Sequence, residues 1–236
     1  MKKFILFFFF PFIFYAQEIS FDKYYNWLNP DEMSMKTTLV KDNIYMIEGI
    51  GGGFGNVGVF VGENGIIMID DSFEILEELL NEAIAKISNK PIKYIINTHY
   101  HFDHADGNRY YGKKGIPIVS HHNVRTRQVE ITTAYGGIFD LLENFNVPAH
   151  EMDELPTVTY ENTMNLHEGN ETISMHYFGQ GHTDGDSIIK FNKANVVHTG
   201  DSFILYGLPF IDITNGGSIK GFIKILTHIA EICDED

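Results

Sequence analysis

From Thr37 onward, apolar and polar positions alternate in short runs separated by turn residues. "TTLVKDNIYMIEG" predicts two strands about Asp42-Asn43, and "NVGVFVGENGIIMIDD" predicts a second hairpin turning at Glu63-Asn64-Gly65. Between them "GIGGGFGN", Gly49 to Asn56, is too rich in glycine for a stable strand end. It reads as a flexible loop or as a mobile flap. The period then changes. Ile75, Leu76, Leu79, Leu80, Ala83, Ile84 and Ile87 recur at helical spacing, which predicts a helix over 73–88 ended by Asn89-Lys90-Pro91. "IKYIIN" is a short strand of the buried type, "IPIVS" is another, and His121 to Tyr135 is expected to be helical. Gly136 to Pro156 is irregular and reads as an insertion near a site.

The second half repeats the theme. Strands are expected near Thr157–Tyr160, Thr172–Phe178, Ser187–Phe191 and Asn195–His198, followed by a helix near Ser218–Ile232. Strand-rich stretches alternating with single helices imply an α/β arrangement with helices outside a pair of sheets.

The first residues follow a different rule. "MKKFILFFFFPFIFYAQEIS" places Lys2 and Lys3 before an apolar run from Phe4 to Tyr15, and then Ala16-Gln17. That order is a secretory signal, with cleavage expected after Ala16 and a secreted or periplasmic product. A membrane span needs roughly 20 apolar residues; this run is shorter and broken by Pro11, so no stable anchor is expected after cleavage. The chain of 236 residues is 44% hydrophobic, enough for one large domain or two merged halves. Acids outnumber bases 32 to 17, so no basic face for nucleic acid is visible. One cysteine, Cys233, excludes an intrachain disulfide and a Cys-rich metal site.

The chemistry concentrates in "THYHFDHADG", Thr98 to Gly107. Imidazole and carboxylate are the usual ligands of zinc and similar metals. His99 and His101 are two apart at a strand end and point the same way if extended geometry persists. Asp103 and His104 follow after the turn, so one loop can serve two adjacent ions. More ligands must then come from distant sequence. His182 in "GQGHTDGDS" and Asp201 in "VVHTGDSF" lie in polar turns just past strands. His121, His122, His167, His176, His198 and His228 are read as structural or surface residues, and His150 as a substrate-side candidate.

Together "THYHFDHADG", "GHTDGD" and "HTGDSF", in this order, resemble the metallo-β-lactamase fold superfamily, from about Thr37 to the end. The resemblance implies a four-layer αββα sandwich with a metal site at one edge. It also implies two divalent ions, Zn2+ by expectation: His99, His101 and His182 on the first, Asp103 and His104 on the second, Asp201 bridging both. The family's remaining ligand is a histidine late in the chain, and the helix near Ile232 is followed only by "CDED". The expected division is therefore a signal over 1–16, an extension over 17–36, and one domain over 37–236 lacking its last strand and helix, with the second ion weakly held.

The resemblance further implies a hydrolase that uses a metal-bound hydroxide on a small molecule, cleaving an ester, thioester, lactone or β-lactam bond. Asp103 would orient the nucleophile and shuttle its proton. The Asp-bridged pattern looks like glyoxalase II or lactonases, but export and acidity argue against glyoxalase II and RNA-processing relatives. "YGLPFIDITNGGSIKGF" resembles exported hydrolases of the superfamily. Two alternatives remain: a mononuclear iron dioxygenase using His99, His101 and Asp201, and a non-catalytic metal-binding protein.

Overall fold

The hairpins expected from the alternation are present in a computed structural model, which describes residues 28–52, 54–130, 132–134, 145–205 and 207–233. β1 (Ser34–Lys41), β2 (Ile44–Ile50), β3 (Val57–Val61) and β4 (Ile66–Ile69) form an antiparallel meander. Helix α1 (Glu77–Ile87) then returns the chain so that β5 (Ile92–Asn97) pairs with β4 in parallel. Two short helices, α2 (Phe102–Ala105) and α3 (Asn108–Tyr111), precede β6 (Ile118–His121), and α4 (His122–Gln128) follows it. β7 (Thr132–Ala134) and β8 (Phe145–Val147) pair as a separate two-stranded unit, after which β9 (Val158–Tyr160) joins β6. The first sheet is thus ordered β1-β2-β3-β4-β5-β6-β9.

The second sheet, entirely antiparallel, is β10 (Thr163–Glu168), β11 (Glu171–His176), β12 (Ile188–Phe191) and β13 (Val196–His198). Helix α5 (Ile219–Ile232) follows, capped by the Ser218 hydroxyl, which accepts from the Gly221 N–H.

β4 shows why the layers stack as they do. Its four residues are all buried, yet they serve two cores. Ile67 and Ile69 face the second sheet and pack with Ile96, Ile173, Met175, Ile189 and Phe191. Ile66 and Met68 face the other way, onto Leu80, Ala83 and Ile84 of α1. The period of two along a strand divides one apolar run between a sheet–sheet core and a sheet–helix core. On the far side, α5 buries Phe222 and Ile225, and Ile225 reaches Gly181 in the turn before β12. The four-layer αββα expectation is met.

Three local expectations change. The helix expected over 121–135 ends at Gln128: the His121 imidazole accepts from the Asn123 N–H to begin it, and β-branched Thr132 and Thr133 pair instead with Asn146 and Val147. Strand β10 was not expected, although Met164 and Leu166 alternate with polar neighbours and Glu168 to Glu171 turn the chain back. The glycines of the Gly49–Asn56 loop serve close packing. A Cβ at Gly49 would lie 1.9 Å from the Phe54 ring, and one at Gly52 would lie 2.2 Å from the Met33 methyl. Upstream, Leu28 and Met33 are buried against Phe73, Leu76 and Phe102.

The signal expected over 1–16 lies outside the described residues, as do Tyr135 at the end of the expected helix and residues 136–144 of the irregular segment. No helix among the described residues is long and apolar enough to cross a membrane.

The sheet–sheet core should be the main source of stability. Phe191 is 1% exposed and its ring packs 5.6 Å from that of Phe60 across the two sheets. Phe191→Ala is expected to cost about 3–5 kcal/mol, seen in urea unfolding as a lower midpoint with an unchanged slope.

Candidate metal centre

Three strand ends meet at one edge of the sandwich. β4 ends in Asp70, β5 delivers Thr98 to His104, and the β11–β12 connection supplies His182. Asp70 and Ser72 both adopt positive φ, 62° and 61°. That backbone is uncommon for non-glycine residues and turns the Asp70 carboxylate inward. Asp70 is fully buried; its Oδ1 accepts from the Thr98 N–H at 2.7 Å, and its Oδ2 accepts from the Thr98 hydroxyl at 2.7 Å and from His104 Nδ1 at 2.8 Å.

These bonds set the protons on the imidazoles. The single Thr98 hydroxyl hydrogen goes to Asp70, so the contact of its oxygen with His99 Nδ1, at 3.0 Å, requires His99 Nδ1 to donate. His182 Nδ1 lies 2.8 Å from the Phe210 carbonyl, which can only accept. His101 Nε2 lies 3.0 Å from Asp212 Oδ2, which also accepts from the Tyr100 hydroxyl at 2.6 Å and from Asn215 Nδ2 at 2.7 Å. Each imidazole therefore spends one N–H outward and turns its other nitrogen toward a common space.

The inward atoms define two overlapping groups. His99, His101 and His182 can each offer one nitrogen, all within 4.8 Å of one another, and so can His99, His104 and Asp201 through its carboxylate. His182 Nε2 and His101 Nδ1 face each other at 2.8 Å. With both hydrogens committed outward, these are two lone pairs in opposition, an arrangement that a cation relieves. His99 Nε2 is buried and has no hydrogen-bond partner, and His104 Nε2 is buried facing carboxylates alone. Asp201 spans the groups, with Oδ1 3.1 Å from His104 Nε2 and Oδ2 3.5 Å from His182 Nε2. Asp103 lies beside them rather than within either group; its Oδ2 is 3.5 Å from His104 Nε2 and its Oδ1 is buried without a partner.

Charge follows the same division. Burial, reinforced by His104, His182 and His101, holds the His99 imidazole well below its ordinary pKa, and burial lowers that of His101, so both are neutral and able to donate lone pairs. Burial also opposes charge on His104, but the carboxylates of Asp201, Asp103 and Asp70 outweigh it and raise this imidazole well above its usual value. Asp201 shows the reverse balance: burial raises it, and the neighbouring imidazoles, His104 first, pull it far below the usual carboxylate range. Positive charge among three carboxylates is what this second pocket favours. The donor set, three imidazoles on one side and imidazole with carboxylate on the other, fits divalent cations.

Among the described residues no other histidine joins either donor group, although His198 lies close enough to interact with Asp70, His104 and Asp201. His121 caps α4 and stacks on Tyr177 at 3.8 Å, and His228 pairs with Glu231 at 2.8 Å on the surface. His150 is buried, 3.9 Å from Glu154 and beside Arg109, and joins neither donor group. Asp70, Thr98, Tyr100, Phe210 and Asp212 escaped sequence reasoning. One signal was available: "IIMIDD" ends a fully apolar strand in two acids, which an apolar environment does not tolerate without partners.

Comparison with known proteins agrees with this picture. The model of the metallo-beta-lactamase superfamily matches residues 50–230. The metallo-beta-lactamase from Pontibacter korlensis is similar in structure with a TM-score of 0.66 and 15% identity, over 86% of this chain and 87% of that one. BJP-1, a subclass B3 metallo-beta-lactamase of Bradyrhizobium japonicum, is similar with a TM-score of 0.61 and 20% identity, over 83% and 73%. At these identities the likeness is one of fold.

Asp70→Asn tests how the imidazoles are held. Whichever oxygen becomes an amide nitrogen would face an N–H or O–H that already points at it. Divalent-metal affinity is expected to fall about ten- to hundredfold, read by competition with a chromogenic chelator, while far-UV circular dichroism keeps its folded shape.

Proposed function

The chain belongs to the metallo-β-lactamase superfamily, and from that membership we propose that it is an exported, binuclear, zinc-type hydrolase of small carbonyl substrates. The inward donors carry this reading: His99 Nε2 is buried with no hydrogen-bond partner, and the nitrogens of His101, His182 and His104 and the Asp201 carboxylate close on the same space. His99, His101 and His182 would hold one ion, Asp103 and His104 the other, and Asp201 would bridge. Zn2+ suits a set made only of imidazoles and carboxylates.

Bound divalent ions supply acidification of water and polarisation of a carbonyl. The chain's own residues do the rest. Thr98, Asp212 and the Phe210 carbonyl lock the rings of His99, His101 and His182, so the donors need no rearrangement when substrate arrives. Burial raises the Asp103 carboxyl from its usual value; its Oδ2 lies 3.5 Å from His104 Nε2 and its Oδ1 is buried without a partner. In this reading the Asp103 carboxylate would orient a nucleophilic water and accept its proton, passing it to the leaving group. Candidate bonds are those of esters, thioesters, lactones and β-lactams. Because the matched structures are called metallo-β-lactamases, β-lactams are the first to try. The secretory signal expected over residues 1–16 supports action in the periplasm or outside the cell.

Metal analysis of the purified chain should find zinc, and a panel of a chromogenic cephalosporin, an aryl ester, an aryl thioester and an acyl lactone should show turnover that a chelator abolishes. Asp103→Asn is expected to lower kcat on the responsive substrate by about 10²–10⁴-fold while the three-imidazole site keeps its ion. One iron per chain with oxygen-dependent turnover would overturn the hydrolase.

A further inference from the structure

Gly55 sits directly on His104. A Cβ built at Gly55 would lie 2.1 Å from His104 Cε1, 2.4 Å from Nε2 and 2.5 Å from Nδ1, in the face of the imidazole itself. The backbone of Gly55 lies outside the left-handed region, so conformation does not demand glycine here; space does. Nor can the ring retreat. Its Nδ1 is bound to Asp70 at 2.8 Å, its ring centroid is 4.2 Å from that of His99, and the residue is 2% exposed.

The same loop is tied to both turns that bring the second donor group. The Gly55 N–H donates to the Asp103 carbonyl at 3.3 Å, holding the turn that carries Asp103 and His104. Its neighbour Asn56 offers its carbonyl to His198 Nε2 at 3.1 Å, and His198 Nδ1 accepts from the Gly200 N–H at 3.3 Å, one residue before Asp201. His104 and Asp201 come from different sheets, and the glycine loop is strapped to the turn of each.

We propose that Gly55 is a positioning residue for the second ion: its bare Cα forms the roof that holds the His104 ring against Asp70, with Nε2 aimed at Asp201. This rests on the two-ion reading above. The first ion should be largely indifferent to Gly55, because the three nearest atoms its Cβ would meet all belong to His104 and none to His99, His101 or His182. A side chain at position 55 must displace the His104 ring or lift the loop, and either movement separates Nε2 from Asp201.

The experiment compares the wild type, Gly55→Ala, His104→Ala and the double variant, each as the full mature chain. Stepwise Zn2+ affinities and the Tm of the metal-free protein are measured for all four. The wild type is expected to hold two ions; Gly55→Ala should retain the first with unchanged affinity and hold the second about ten- to hundredfold more weakly. His104→Ala opens the space that the new Cβ needs. In that background Gly55→Ala should therefore change neither the remaining affinity nor the Tm. Equal loss from Gly55→Ala in both backgrounds, or two ions held at wild-type affinity by Gly55→Ala, would overturn the proposal. If Gly55→Ala alone does not fold, folding of the double variant supports the roof, and failure of both overturns it. A wild type that binds a single ion would instead remove the two-ion reading, and this inference with it.

Discussion

A buried carboxylate can govern an imidazole without touching a metal, and Asp70 governs two. It takes a hydrogen bond from His104 directly, and it takes the Thr98 hydroxyl hydrogen, which leaves Thr98 to accept from His99. His99 is thereby committed to a hydrogen on Nδ1 and a lone pair on Nε2, while His104, favoured in its charged form by the carboxylates around it, turns Nε2 toward Asp201. The rest of the centre repeats the device with Asp212 for His101 and the Phe210 carbonyl for His182. A neutral imidazole has one hydrogen to give, and the rings of His99, His101 and His182 each turn an N–H away from the centre.

That arrangement depends on the sheets more than on the loops. β4 and β5 pair in parallel, with Ile69 opposite Ile96, so both strands end at the same edge and Asp70 meets Thr98 across the ladder. The second sheet brings His182 and Asp201 to the same edge, and the apolar contact of Ile67, Ile69 and Ile96 with Ile173, Met175 and Ile189 fixes the distance between the two halves. A side-chain core packed at this density transmits small shifts, so the precision of the donor groups is inherited from the sandwich. The positive φ angles of Asp70 and Ser72 mark where the chain turns against its own preference to serve the site.

Much of this could be read in advance. The change from alternation to helical spacing located α1, and the four acid–base groups within "HYHFDH" announced a metal centre because so many titratable side chains have little other reason to share a buried loop. Pattern failed where local and tertiary preferences diverge. Thr132 and Thr133 continue an apparent helix in sequence but pair with Asn146 and Val147 in space. Gly49, Gly52 and Gly55 suggest freedom, yet Phe54, Met33 and His104 occupy the space their side chains would need.

The sequence by itself determined which chemistry is available and roughly where each strand and helix runs, because ligand types, apolar period and turn residues are local properties. It also determined that His99 and His101 would leave the end of one strand within a single short loop. That strand ends at Asn97 and the chain bends over 98–100, so shared strand alternation is not what brings the two rings together. Tertiary structure alone decided which ring nitrogen points inward, that Asp201 lies between His104 and His182, and that position 55 has no room for a methyl group. Those are matters of distance between residues as much as 142 positions apart, as with His198 and Asn56, and only the packing of one sheet on another sets such distances.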